Sequence, residues 1–135
     1  MANITNLRRD SLKGNSASVE VVPLTITASA NDTVEVLSLK KNMVIDDVKV
    51  VYKGTGSSTA SLGDSGSAVR YITTASTASD GVLTANTATA SSAGVITAGL
   101  GYKYLAASRL ILTIAGASVS AKDYVVIVTY HFDNN

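Results

Sequence analysis

Apolar residues along this chain recur at every second position more often than at helical spacing, so the elements they predict are strands. From Val19 the series Val19, Val21, Leu24, Ile26 is interrupted at Pro23, which predicts an edge strand or a bulge. Asn31-Asp32 predicts a turn, followed by a strand through Val34, Val36, Leu37 and Leu39 and a polar turn at Lys40-Lys41-Asn42. Met43 to Tyr52 predicts a long strand with Val44, Val48 and Val50 on one face. Beyond Gly54-Thr55-Gly56, a polar strand from Ser57 to Leu62 closes on Gly63-Asp64-Ser65-Gly66. Ala68 to Thr74 predicts the next strand, with Val69, Tyr71 and Thr73 facing one way and Arg70 and Ile72 the other.

The stretch 75–101 is nearly all Ala, Ser, Thr, Gly and Asn, with short apolar anchors at Val82-Leu83 and Val95-Ile96. It predicts a long surface excursion. Two loosely similar strings inside it, Thr77 to Val82 and Thr89 to Val95, are too few to make a solenoid. Tyr102 to Leu105 reads as a short strand or a turn entry. Leu110, Leu112 and Ile114 then alternate up to Ala115-Gly116-Ala117. Asp123 to Phe132 is the strongest strand, with Tyr124, Val126, Val128 and Tyr130 on one face and Val125 and Ile127 on the other. A strand apolar on both faces belongs at a sheet centre or against a partner subunit, and Tyr124, Val126, Val128 and Tyr130 are the candidate subunit-interface residues.

Residues 1–17 are polar and aperiodic and predict an extended N-terminal arm or a disordered leader; residues 18–135 are expected to form the folded domain. About eight short strands separated by Gly-rich turns make the expected fold class all-β, a single-domain antiparallel β-sandwich of jelly-roll-like form.

Composition supports that assignment. The 135 residues suit one domain. The excess of Val and Thr favours strands, because β-branched side chains suit a pleated surface. Charged residues make up 16% and hydrophobic residues 46%, a balance unlike that of disordered chains. A formal charge of +1 leaves no basic field to hold a polyanion, and the aromatics are not set on a basic platform, so nucleic acid is not an expected partner. No apolar run reaches the roughly 18 residues of a membrane span, and no apolar segment follows Arg8-Arg9 as in a secretory signal. Synthesis and folding in a cytoplasm are therefore expected.

The candidate chemistry is thin. With no Cys and a single His, disulfide frameworks and Cys/His zinc sites are excluded, and no cofactor is expected. Gly63-Asp64-Ser65-Gly66 is similar to the string around a trypsin-type nucleophile, but only His131 is available as a base. Asp, Ser and Gly each have a local reason to occupy a turn, and the turn reading stands. Asp46-Asp47 is the one adjacent carboxylate pair; neighbours in a strand point to opposite faces, which suits a solvated face or a bulge better than acid–base work. Gly99-Leu100-Gly101 lacks the lysine and the helix of a phosphate loop. No enzymatic constellation emerges.

From about Asn31 to Phe132, the order of elements resembles small capsid cement (head decoration) proteins of tailed bacteriophages. The residues that carry it begin with Asn31-Asp32-Thr33-Val34-Glu35-Val36, the long strand Met43 to Tyr52, and Leu62-Gly63-Asp64 followed by Arg70-Tyr71-Ile72. The Ala/Thr/Gly loop comes next, and the last two strands are Ser108 to Ile114 and Asp123 to Tyr130.

The resemblance implies a β-sandwich that forms a homotrimer on the surface of the virion's capsid, binds the major capsid protein and reinforces contacts between capsid subunits. It implies no catalysis. Within that reading the arm is a candidate capsid contact. Ile4, Leu7 and Leu12 are the apolar groups it could bury, and Arg8, Arg9 and Lys13 are basic groups for an acidic neighbour. A competing expectation is a carbohydrate- or cell-surface-binding module of a phage fibre, for which Tyr102 and Tyr104 near Arg109 are the candidate residues.

Overall fold

The computed structural model describes residues 17–54 and 56–134. Among the described residues, ten strands follow in chain order: β1 (Ser18–Ala28), β2 (Thr33–Leu39), β3 (Met43–Tyr52), β4 (Thr59–Gly63), β5 (Ile72–Ser76), β6 (Gly81–Thr84), β7 (Thr89–Ala90), β8 (Ile96–Ala98), β9 (Ser108–Ala115) and β10 (Val119–Phe132). Sheet I has the order β1-β10-β3-β6 and sheet II the order β2-β9-β4-β5; β7 and β8 form a separate ribbon. Every pairing is antiparallel. Counting only the strands of the two sheets, the orders are 1-8-3-6 and 2-7-4-5. The chain thus passes repeatedly between sheets, the jelly-roll-like sandwich that the alternation predicts.

The core lies between the inner faces. Ile45, Val48, Val50, Val126 and Val128 from sheet I meet Leu62, Leu110, Leu112 and Ile114 from sheet II, all fully buried. Burying each such side chain is worth about 1.5–3 kcal/mol relative to exposure. The strand β10 sits between β1 and β3; its set Tyr124, Val126 and Val128 turns into the core, while Val125 and Ile127 turn to the outer face and are only partly buried. Pro23 lies in β1, an edge strand, where a missing N–H costs no ladder bond if it points outward. Asn31 and Asn42 hold the two predicted polar turns with φ of 72° and 71°, a left-handed conformation that asparagine tolerates.

Three expectations need correction. In β3, Thr129 pairs with Asp47 and Tyr130 with Ile45, so Asp46 is the extra residue of a bulge. The bulge reverses the phase of the strand, and Ile45 rather than Val44 joins Val48 and Val50 in the core. Val44 instead bridges to Lys103. Second, the strand expected from Ala68 begins only at Ile72, and Arg70 and Tyr71 are both buried instead of facing opposite ways. Third, the 75–101 stretch is not all surface excursion: Gly81–Thr84 pairs with β3 as the edge of sheet I and buries Leu83.

Candidate functional site

Two buried polar clusters stiffen opposite ends of the β4–β5 hairpin. The first is built on the Gly63-Asp64-Ser65-Gly66 turn. Asp64 Oδ1 accepts the backbone N–H groups of Gly66 and Ser67, each at 2.9 Å, so the carboxylate shapes its own turn. Gly63 is required there because a Cβ would stand 2.0 Å from the Ser67 carbonyl oxygen. Arg70 Nε and Nη2 donate to the two carboxylate oxygens, a fork that matches carboxylate geometry. Tyr104 donates its hydroxyl proton to Asp64 Oδ2 at 2.7 Å, which leaves Tyr71 to donate to Tyr104 at 2.6 Å. Arg70 also donates to the Thr97 carbonyl and lies 3.8 Å over the Tyr102 ring. The Arg70 carbonyl accepts from Gly99 N at 2.5 Å. One ion pair therefore fastens three loop segments to sheet II.

The second cluster surrounds Lys122, which is buried on the same side of β10 as Tyr124. Its Nζ donates to the Thr77 carbonyl at 2.7 Å, Thr77 Oγ1 at 2.9 Å and Ser58 Oγ at 3.2 Å. Ser58 precedes β4 and Thr77 follows β5, so this contact ties sheet I to the open end of the hairpin in sheet II. The ammonium also lies 5.7 Å from the Tyr52 ring centre and 5.5 Å from that of Tyr124. Period-two spacing with Tyr124, Val126 and Val128 was the sequence signal that could have placed Lys122 inside.

Electrostatics follow from these contacts. Burial alone would raise the Asp64 carboxyl, but the hydrogen bonds from Arg70, Tyr104 and Ser67, with the guanidinium charge, hold it below its ordinary 3.8. Burial pushes the Tyr71, Tyr104 and Tyr124 phenols above 10.0, and burial pulls the Lys122 ammonium below 10.5. Asp64 thus contributes stability present above 3.8 and lost as pH falls through its folded value. The tyrosines contribute stability present below 10.0 and lost as the unfolded chain ionises above it. Lys122 acts in the opposite alkaline direction, since the cost of its buried charge is relieved as pH rises toward 10.5. With one such group against three phenols, thermal unfolding followed by circular dichroism is expected to give a midpoint that is flat near neutrality and falls both below about pH 4 and above about pH 10. A midpoint unchanged into strong acid contradicts the role given to Asp64.

The other residues singled out in the sequence are dispersed. His131 Nδ1 lies 2.8 and 2.9 Å from the Asp46 oxygens, while Ser65 Oγ lies 3.4 Å from Ser108 Oγ; the two do not form a pair. Tyr104 is buried in the Asp64 cluster, Tyr102 packs edge-on against it, and Arg109 pairs with Glu35 at 3.5 Å on sheet II. These three make no exposed sugar platform. Tyr124, Val126 and Val128 lie in the core, and Tyr130 packs partly buried against it. That face of β10 is already occupied by the chain's own second sheet. Ile4, Leu7, Arg8, Arg9, Leu12 and Lys13 lie outside the described residues.

The outer faces of the sandwich differ. Sheet II turns out Thr33, Glu35, Ser38, Arg109 and Thr73, a mostly polar surface with Ile111 partly covered among them. Sheet I turns out a run of apolar side chains, among them Val21, Val51 and Val82.

No protein-family model and no curated protein matches this chain. Solved structures do. A chain in the cyanophage Pam1 capsid asymmetric unit superposes with a TM-score of 0.65 at 19% identity, covering 90% of this chain and 88% of that one. A chain in the capsid of Ralstonia phage GP4 gives 0.64 at 18%, covering 89% and 86%. One in the acidic stable capsid structure of Helicobacter pylori bacteriophage KHP30 gives 0.60 at 11%, covering 87% and 93%. At such low identity the likeness establishes a shared fold, over 87–90% of this chain, with chains found in phage capsids.

Proposed function

We propose that this chain is a structural virion protein, a capsid cement or decoration protein that binds the assembled phage shell and reinforces contacts between capsid subunits. It acts as a homotrimer on the outer surface, with the major capsid protein as its partner, and carries out no reaction. The observation that carries this reading is the near-complete superposition on single chains of three phage capsids. The two buried polar clusters fit it, because a shell-bound clamp needs a shape that does not yield. In the same reading, Ile4, Leu7 and Leu12 of the arm bury against the shell. Ordering such an arm costs about 1–2 kcal/mol per residue, which those apolar groups must offset.

Co-sedimentation of the purified chain with assembled shells that lack it tests the proposal. Saturable binding with a fixed number of copies per shell is expected. Where Ile4, Leu7 and Leu12 carry the contact, binding should survive high salt. Absence of retention on shells under any salt condition overturns the reading.

A further inference from the structure

The outer face of sheet I carries more apolar surface than a free sandwich needs. The strand register sets Pro23, Val125, Val51 and Val82 side by side across all four strands. The adjoining rows add Val21 beside Ile127 and then Val19. Exposure is 60% for Val19, 58% for Val21, 50% for Val82 and 39% for Val51. At ordinary strand spacing the face measures about 20 Å by 20 Å. That whole face, apolar at its centre and polar at its edges, is about half of the roughly 800 Å² each partner gives to a standard interface.

The surroundings select the occupant. Around the apolar centre stand Asp47 and Asp123 together with Lys49 and Lys53, so the rim carries both signs. A strongly acidic or basic partner gains nothing from such a rim, whereas a like copy is not repelled. Copies that turn this same face toward a common axis close into a ring, as the homotrimer of the shell-protein reading does. Pro23 removes a donor from β1, which disfavours joining copies edge to edge.

We infer that the outer face of sheet I is where a second copy of this chain packs in the homo-oligomer. The inference deepens the shell-protein reading by giving its self-association a surface, and it can fail separately from it.

Analytical ultracentrifugation of the purified chain tests it, alongside Val51→Lys, Val21→Lys and the sheet II control Thr33→Lys. Val21 and Thr33 lie on exposed strand positions, so their variants should fold, with circular dichroism as the check. The parent and Thr33→Lys are expected to sediment as oligomers, and both valine variants to associate at least about tenfold more weakly. Since the chain has no cysteine, Val82→Cys gives a second readout: a short bismaleimide should join two copies through it and not through Thr33→Cys. Oligomers of unchanged mass in both valine variants overturn the inference. So does a parent that stays monomeric; if that monomer still coats shells, the inference and the homotrimer fall while the shell-binding role stands. Valine variants that lose self-association in a chain that never binds shells leave the inference standing and remove the shell reading.

Discussion

Asp64→Ala is expected to lower stability by about 3–5 kcal/mol, the range for breaking a buried ion pair from one side. The substitution strands the Arg70 guanidinium in the interior and leaves the Gly66 and Ser67 N–H groups and the Tyr104 hydroxyl without their acceptor. For a chain of this length the thermal midpoint should fall by roughly 10 °C or more. Asp64→Asn retains the shape and one acceptor oxygen and should fall between the variant and the parent. Arg70 and Asp64 act as one unit, so the double variant Asp64→Ala, Arg70→Ala should lose less than the sum of the two single losses. A loss below about 1 kcal/mol for Asp64→Ala, measured by denaturant unfolding, shows that the cluster does not fasten the loops.

Leu112→Ala should cost about 2–5 kcal/mol, as deletion of buried methyls from a core that cannot collapse around the void. Leu112 is fully buried and pairs with Val34 on one side and Leu62 on the other, at the middle of sheet II. Its neighbour Ile111 points outward and is only partly covered, so Ile111→Ala should cost clearly less. The comparison of the two adjacent positions by chemical denaturation tests the orientation of β9 directly. Equal losses contradict it.

Much of the fold was legible because period-two alternation and turn residues are local signals. Leu110, Leu112 and Ile114 declared a strand with one buried face, while Pro23 offered an edge or a bulge and Asp46-Asp47 a solvated face or a bulge. The structure adopts the bulge at Asp46, and its consequence for phase, Ile45 inward in place of Val44, is a pairing property that spacing alone does not carry. In β10 both faces are apolar, so alternation separates Tyr124, Val126 and Val128 from Val125 and Ile127 without telling which set turns inward. The inward set belongs to the core, and the outward set joins the surface of sheet I.

The polar clusters were less legible still. Asp64 and Arg70 stand six residues apart, but the Tyr104 that completes their cluster lies 40 residues from Asp64 and reaches it only through the fold. Gly81–Thr84 is too short and too small in its side chains to announce a strand. It becomes one because β3 offers a free edge.

The central claim is that this rigid sandwich works by fitting a surface, as a shell-bound clamp. Cryo-electron images of virions made with and without the chain test that claim most directly. The account predicts ordered density, large enough for this sandwich, at repeated positions on the outside of the shell, present with the chain and missing without it. Indistinguishable shells in the two preparations contradict it.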